Sequence, residues 1–115
     1  MTRKLLLAAA VFAAFGAPAA HAASFNCSHA KTSDEKAVCA SRSLSEADIK
    51  MATLFEVDTR LVAMGTRGDI QDAQVAWLKS RRACGKSTTC LTKSYARRIK
   101  ELQANFDAVA SRGPF

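Results

Sequence analysis

Four cysteines, Cys27, Cys39, Cys84 and Cys90, follow what reads as an export signal, and all of them fall in the part of the chain that would be exported. Cysteines delivered to an oxidising space normally end as disulfides. An even number in a short chain therefore constrains size, compartment and stabilising strategy together. The signal has a positive start at Arg3 and Lys4, an unbroken apolar run from Leu5 to Phe15, and a small-residue stretch ending Ala20-His21-Ala22. That ending has the A-x-A form of a secretory cleavage site. The expected cut follows Ala22, with Ala23 as the alternative, leaving a signal peptide at 1–22 and one domain at 23–115. The apolar run is shorter than the roughly 18 residues a spanning helix needs. Ser24-Phe25-Asn26 ahead of Cys27 does not resemble a lipoprotein signal. The reading is a periplasmic or secreted protein with no transmembrane anchor once the signal is removed.

A domain of this length has a marginal hydrophobic core, which disulfides would supplement. Nothing in the exported part alternates apolar and polar residues as a strand does, whereas several stretches repeat at helical spacing. The expectation is all-α, a small bundle of three to four helices stapled by two disulfides. The first helix, about 33–41, has Thr32 and Glu35 in capping-box spacing. The second, about 45–64, takes Ser45 as N-cap and buries Ala47, Met51, Leu54, Phe55, Leu61 and Val62. Gly65-Thr66-Arg67-Gly68 reads as a turn, and Asp69 as the cap of a third helix at about 70–84 whose inner face is Ile70, Ala73, Trp77 and Cys84. Gly85 suits its C-terminal cap. The fourth, about 90–111, repeats Leu91, Tyr95, Ile99, Leu102, Phe106 and Val109, and the tail from Arg112 is expected to fray.

Four cysteines allow three pairings. The local one, Cys27–Cys39 with Cys84–Cys90, is favoured, because Cys84 closes the third helix and Cys90 opens the fourth. Intervals of 11 and 5 residues suit a zinc site poorly. No C-x-x-C redox motif is present.

The residues do not assemble a catalytic set, and nothing calls for a cofactor. His29 is the lone histidine of the exported part and reads as a solvated loop residue. The acid pairs Asp34-Glu35 and Glu46/Asp48 have ordinary roles as helix-start charges. The charge map is more informative. Residues 73–100 contain no acid and eight bases: Lys79, Arg81, Arg82, Lys86, Lys93, Arg97, Arg98 and Lys100. The exported part as a whole carries +5. A basic half of this kind attracts anionic partners, which in an envelope means lipid headgroups, acidic polymers or an acidic protein. No nucleic-acid recognition motif accompanies it, and no nucleic acid is expected as a partner.

The chain resembles the LprI-like lysozyme-inhibitor family, small helical domains of bacterial envelopes. The resemblance runs from Phe25-Asn26-Cys27 through Thr32 to Cys39 and Leu44 to Asp48, resumes at Gln74-Val75-Ala76-Trp77-Leu78-Lys79-Ser80-Arg81, and ends with Cys84, Cys90, Tyr95 and Arg98-Ile99. It implies a non-catalytic binding protein, not an enzyme, that inhibits lysozyme-type muramidases by steric occlusion. Gln74, Trp77 and Arg81 share one helix face, and with Arg82, Arg97 and Arg98 they are the candidate partner-binding residues. Because lysozymes are basic, contact would fall on the acidic N-terminal half, at Asp34, Glu35, Glu46, Asp48, Glu56 and Asp58. The alternative is an envelope module held to an anionic surface, or to an acidic partner, by the basic helical hairpin.

Overall fold

The computed structural model describes residues 22–113, so the basic start and apolar run of the signal lie outside the described residues. The described residues are all-α. A short 3-10 turn, Cys27–His29, precedes α1 (Ser33–Ala40), α2 (Arg42–Leu61), α3 (Met64–Ala83) and α4 (Thr88–Ala110). The local cysteine pairing is the one formed: Cys27–Cys39 ties the N-terminal strip to α1, and Cys84–Cys90 clasps the α3–α4 turn. Two such bonds suit an oxidising compartment. Among the described residues, no helix is long and apolar enough to cross a membrane.

The longest packing interface is α2 on α4, with α1 and α3 laid against that pair. Val38, Leu44, Met51, Ile70, Trp77, Leu91, Tyr95 and Leu102 form the core. The α4 repeat behaves as its spacing requires: Leu91, Tyr95, Leu102 and Val109 are buried, with Ile99 and Phe106 half-buried.

The boundaries of α2 and α3 depart from the sequence expectation. Ser41, not Ser45, caps α2, its hydroxyl accepting from the Leu44 amide. Ser45 is instead buried one turn in, and its hydroxyl donates to the Val38 carbonyl at 2.7 Å. The stretch Gly65–Gly68 is the first turn of α3, not a loop, so Asp69 is not a cap. The chain reverses at Val62-Ala63. Arg67 is the reason so short a reversal is stable: its Nε donates to the Thr59 carbonyl at 2.6 Å and its Nη2 to the Val62 carbonyl at 3.4 Å. Those are orphan carbonyls at the end of α2, which a basic side chain satisfies well. Two helical glycines cost about 1 kcal/mol each against alanine, a local penalty that this tertiary capping offsets. Leu61 and Ala73, expected inside, are exposed.

At the other end of α3 the expectation holds. Gly85 has φ +57°, the left-handed conformation that terminates helices and that a side chain adopts with strain. Ser87 then caps α4, accepting from the Cys90 amide, so α4 starts two residues earlier than its apolar repeat suggests. At α1 the Thr32 hydroxyl makes no cap bond to backbone. It donates to Glu35 Oε1 at 2.9 Å, while Glu35 Oε2 accepts from the Lys31 amide at 3.2 Å.

Candidate functional site

Three aspartates that sequence reasoning placed at the surface are buried, and two of them organise the centre of the molecule. Asp34 on α1 and Asp48 on α2 are 1 % and 0 % exposed. Arg81 reaches them from α3. Its Nε donates to Asp34 Oδ2 at 2.8 Å, and its Nη1 lies 3.6 Å from Asp48 Oδ1. Tyr95 on α4 donates its hydroxyl to Asp48 Oδ1 at 2.8 Å and accepts from Arg81 Nη1 at 3.2 Å. Burial, and next the neighbouring Asp48 carboxylate, push the Tyr95 phenol well above its ordinary value, so it remains a donor at every physiological pH. The N-terminal strip closes the cluster: the Ser24 amide donates to Asp48 Oδ2 at 2.7 Å, and the Ser24 hydroxyl donates to the same oxygen. One residue from every helix, and one from the strip, thus meet at a single charged centre.

The residues of the Gln-x-x-Trp-Leu-Lys-x-Arg element brace this centre. Trp77 is buried, donates its Nε1 to the Ser94 carbonyl at 3.1 Å and meets Tyr95 edge-on, with ring centroids 5.0 Å apart. The Arg81 guanidinium sits 5.7 Å from the ring centres of both Phe25 and Trp77, a favourable arrangement for a cation. Gln74 is half-buried and accepts from Arg98 Nε at 2.9 Å. Arg98, 2 % exposed, also donates to the Ile70 carbonyl and to Glu101. Of the six predicted partner-binding residues, Trp77, Arg81 and Arg98 are therefore consumed inside the fold, Gln74 is largely so, and only Arg82 and Arg97 present themselves to solvent. The eight bases of residues 73–100 reduce to six free ones, Lys79, Arg82, Lys86, Lys93, Arg97 and Lys100. The acidic candidates shrink likewise, to Glu35, Glu46 and Glu56, the last two already paired with Arg42 and Arg60 four residues away.

Above the charged centre lies a depression of about 340 Å³. Phe25, Met51, Ala52, Phe55 and Leu78 form its apolar walls, Gln74, Asp48 and Arg81 contribute to its floor, and Glu35 stands in its lining. Leu78 is 39 % exposed and Val75, on the same outer side of α3, 55 %. This is a surface for receiving an apolar group beside a polar floor. Among the described residues, no group of His, Cys, Asp or Glu could hold a metal ion.

Asp58 is the third buried aspartate and is of a different kind. It is 0 % exposed, and neither carboxylate oxygen has a hydrogen-bond partner among the described residues. Burial raises its pKa from 3.8, with the charge of Arg98 opposing. A carboxyl held more readily protonated in the folded chain than in the unfolded one loses stability as pH rises above the unfolded value. Asp58→Asn is thus expected to stabilise the protein by about 1–2 kcal/mol at neutral pH and to match the wild type below pH 3.8. Urea unfolding at pH 3 and pH 7 checks this; an equal gain at both would mean that charge is not the cause.

No family model, curated protein or solved structure matches the chain.

Proposed function

We propose that the chain is an exported, non-catalytic binding protein of the LprI-like kind, and that it inhibits lysozyme-type muramidases by occlusion. The observation that carries the reading is the apolar depression over a cross-braced charged centre. A pocket whose floor is locked by residues from four helices is preorganised, so little conformational freedom is lost when a partner's side chain enters. The surrounding charges do not steer a basic enzyme, since of the two acids that line the pocket Asp48 is buried and bonded within the fold, and Glu35 alone reaches solvent. Affinity therefore rests on apolar contact at Phe55 and Leu78.

Two results follow. A molar excess of the purified exported protein slows lysozyme turnover of cell-wall substrate, and Leu78→Asp weakens that inhibition about 10-fold or more, the effect of losing one buried anchor. Added salt leaves the inhibition intact or speeds association, because it screens the repulsion between two cationic proteins. Unchanged turnover at saturating excess removes the reading.

A second reading has its own observation. Lys93, Arg97 and Lys100 stand at i, i+4 and i+7 along the exposed side of α4, and Lys79 and Arg82 on α3 and Lys86 in the α3–α4 turn are exposed as well. This face suits an anionic envelope surface or an acidic partner. It predicts binding to anionic vesicles that salt abolishes and that Lys93→Glu with Arg97→Glu removes. The salt response, opposite in sign to that of lysozyme inhibition, separates the two readings.

A further inference from the structure

The central cluster is short of positive charge. Asp34 from α1 and Asp48 from α2 are both buried, and Arg81 from α3 is the one cation that pairs with either among the described residues. Glu35, the other acid of α1, is only half-buried and is bonded to Thr32 and to the Lys31 amide rather than to the cluster, and Tyr95 from α4 is a neutral donor. Asp34 Oδ1 has no hydrogen-bond partner among the described residues. A buried carboxylate without a countercharge is costly.

The piece of chain that enters this cluster is the strip that begins where the export signal is expected to end. Ala23 packs against the core, and the Ser24 nitrogen lies 2.7 Å from Asp48 Oδ2. We propose that the α-ammonium group released by signal cleavage is the missing cation, so that cleavage itself completes the buried charge cluster and fixes the strip in place. The inference rests on the export reading above and adds a binding site for the new terminus to it.

A cut after Ala23 makes the charged group the very nitrogen already on Asp48. A cut after Ala22 puts it on the Ala23 nitrogen, one peptide unit back and so within roughly 4 Å of Ser24 N. That places the ammonium within about 7 Å of the carboxylate, at the edge of the range over which an opposite charge holds a carboxylate ionised. Before cleavage the same nitrogen is a neutral amide. The uncut chain then carries the unbalanced cluster, and the cut chain does not.

The titratable groups here are Asp34, Glu35, Asp48, Arg81 and Tyr95; burial, which would raise the Asp34 carboxyl, is outweighed by hydrogen bonding and by Arg81, and Arg81 and Tyr95 stay protonated through neutrality. Only the α-amine changes charge near pH 8. Paired with Asp48, its pKa is raised. Its contribution to stability is full below the ordinary value of about 8 and is lost as pH climbs through the raised one.

The test starts from the exported protein. Intact mass identifies its first residue, and an NMR titration of selectively labelled material reads the α-amine. We expect Ala23 or Ser24 as the first residue and an α-amine pKa at least about one unit above 8. The Nα-acetylated protein should melt about 5 °C lower at pH 7 and converge with the free-amine form at high pH. In Asp48→Asn the acetylation effect disappears. Should that variant fail to fold, the titration decides alone. A chain that is made but never cut would remove the export reading, and this site with it; a cut at another position would overturn the site and leave export standing. The right first residue with an ordinary α-amine pKa and equal melting points would overturn the site and leave export standing.

Discussion

Replacing Arg81 with leucine will cost about 3–5 kcal/mol of folding stability, as expected when one partner of a buried charge pair is removed. Arg81 is 8 % exposed and contacts a carboxylate on α1, a phenol on α4 and aromatic rings of the strip and of its own helix. Leucine keeps some of the packing and strands Asp34, whose one ion-pair partner among the described residues is Arg81. Arg81→Lys restores the charge but not the fork that donates to Asp34 and Tyr95 together, so it recovers only part of the loss. Arg82→Leu, one residue on and exposed, serves as the control and should change stability by no more than about 0.5 kcal/mol. Urea midpoints of the three variants decide the matter. A loss for Arg81→Leu no larger than for Arg82→Leu would mean that the centre does not hold the helices together. The same comparison bears on function: if the depression is the docking site, Arg81→Leu weakens inhibition even where the protein remains folded, because its floor is gone.

The residues of this centre were partly legible in the sequence. Helix count, the α4 stripe and both disulfides follow from periodicity and from cysteines placed at helix ends. Arg81, by contrast, sits in an acid-free run, which makes it look like part of a solvated basic face. Its partners lie 47 and 33 positions upstream, a separation that no local pattern reports. One signal was available. Asp48 falls four residues after Leu44 and three before Met51, at the spacing of the buried face, and Asp58 falls seven after Met51. An acid in register with an apolar stripe is either a destabilising burial or half of a charge pair, and reading Asp48 as a helix-start charge hid that choice. The α2–α3 boundary was obscured for a related reason. Two glycines outweigh their neighbours in any local reading, whereas the actual reversal depends on Arg67 reaching back to carbonyls of the preceding helix.

Losing the Cys27–Cys39 bond will cost more than losing Cys84–Cys90, by more than loop entropy alone predicts. The bonds span 12 and 6 residues, and constraint of the unfolded chain assigns them about 3 and about 2 kcal/mol. For a domain whose total stability is of order 5–15 kcal/mol, removing both is close to unfolding it. The native structure widens the gap. The α3–α4 turn is already specified by the left-handed Gly85 and the Ser87 cap, so Cys84→Ser with Cys90→Ser leaves its geometry in place. Cys27–Cys39, however, anchors the strip that carries Ser24 onto Asp48 and Phe25 against Arg81. Freeing that strip opens the charged centre to water and removes a wall of the depression. Cys27→Ser with Cys39→Ser should therefore lower stability beyond the entropic figure of about 3 kcal/mol. It should also speed hydrogen exchange at the Ser24 amide and, if the depression is the docking site, weaken inhibition. Urea unfolding of the two double variants, with exchange measured at Ser24, tests each part. Equal losses, with Ser24 exchange unchanged, would show that the strip holds its place without the bond.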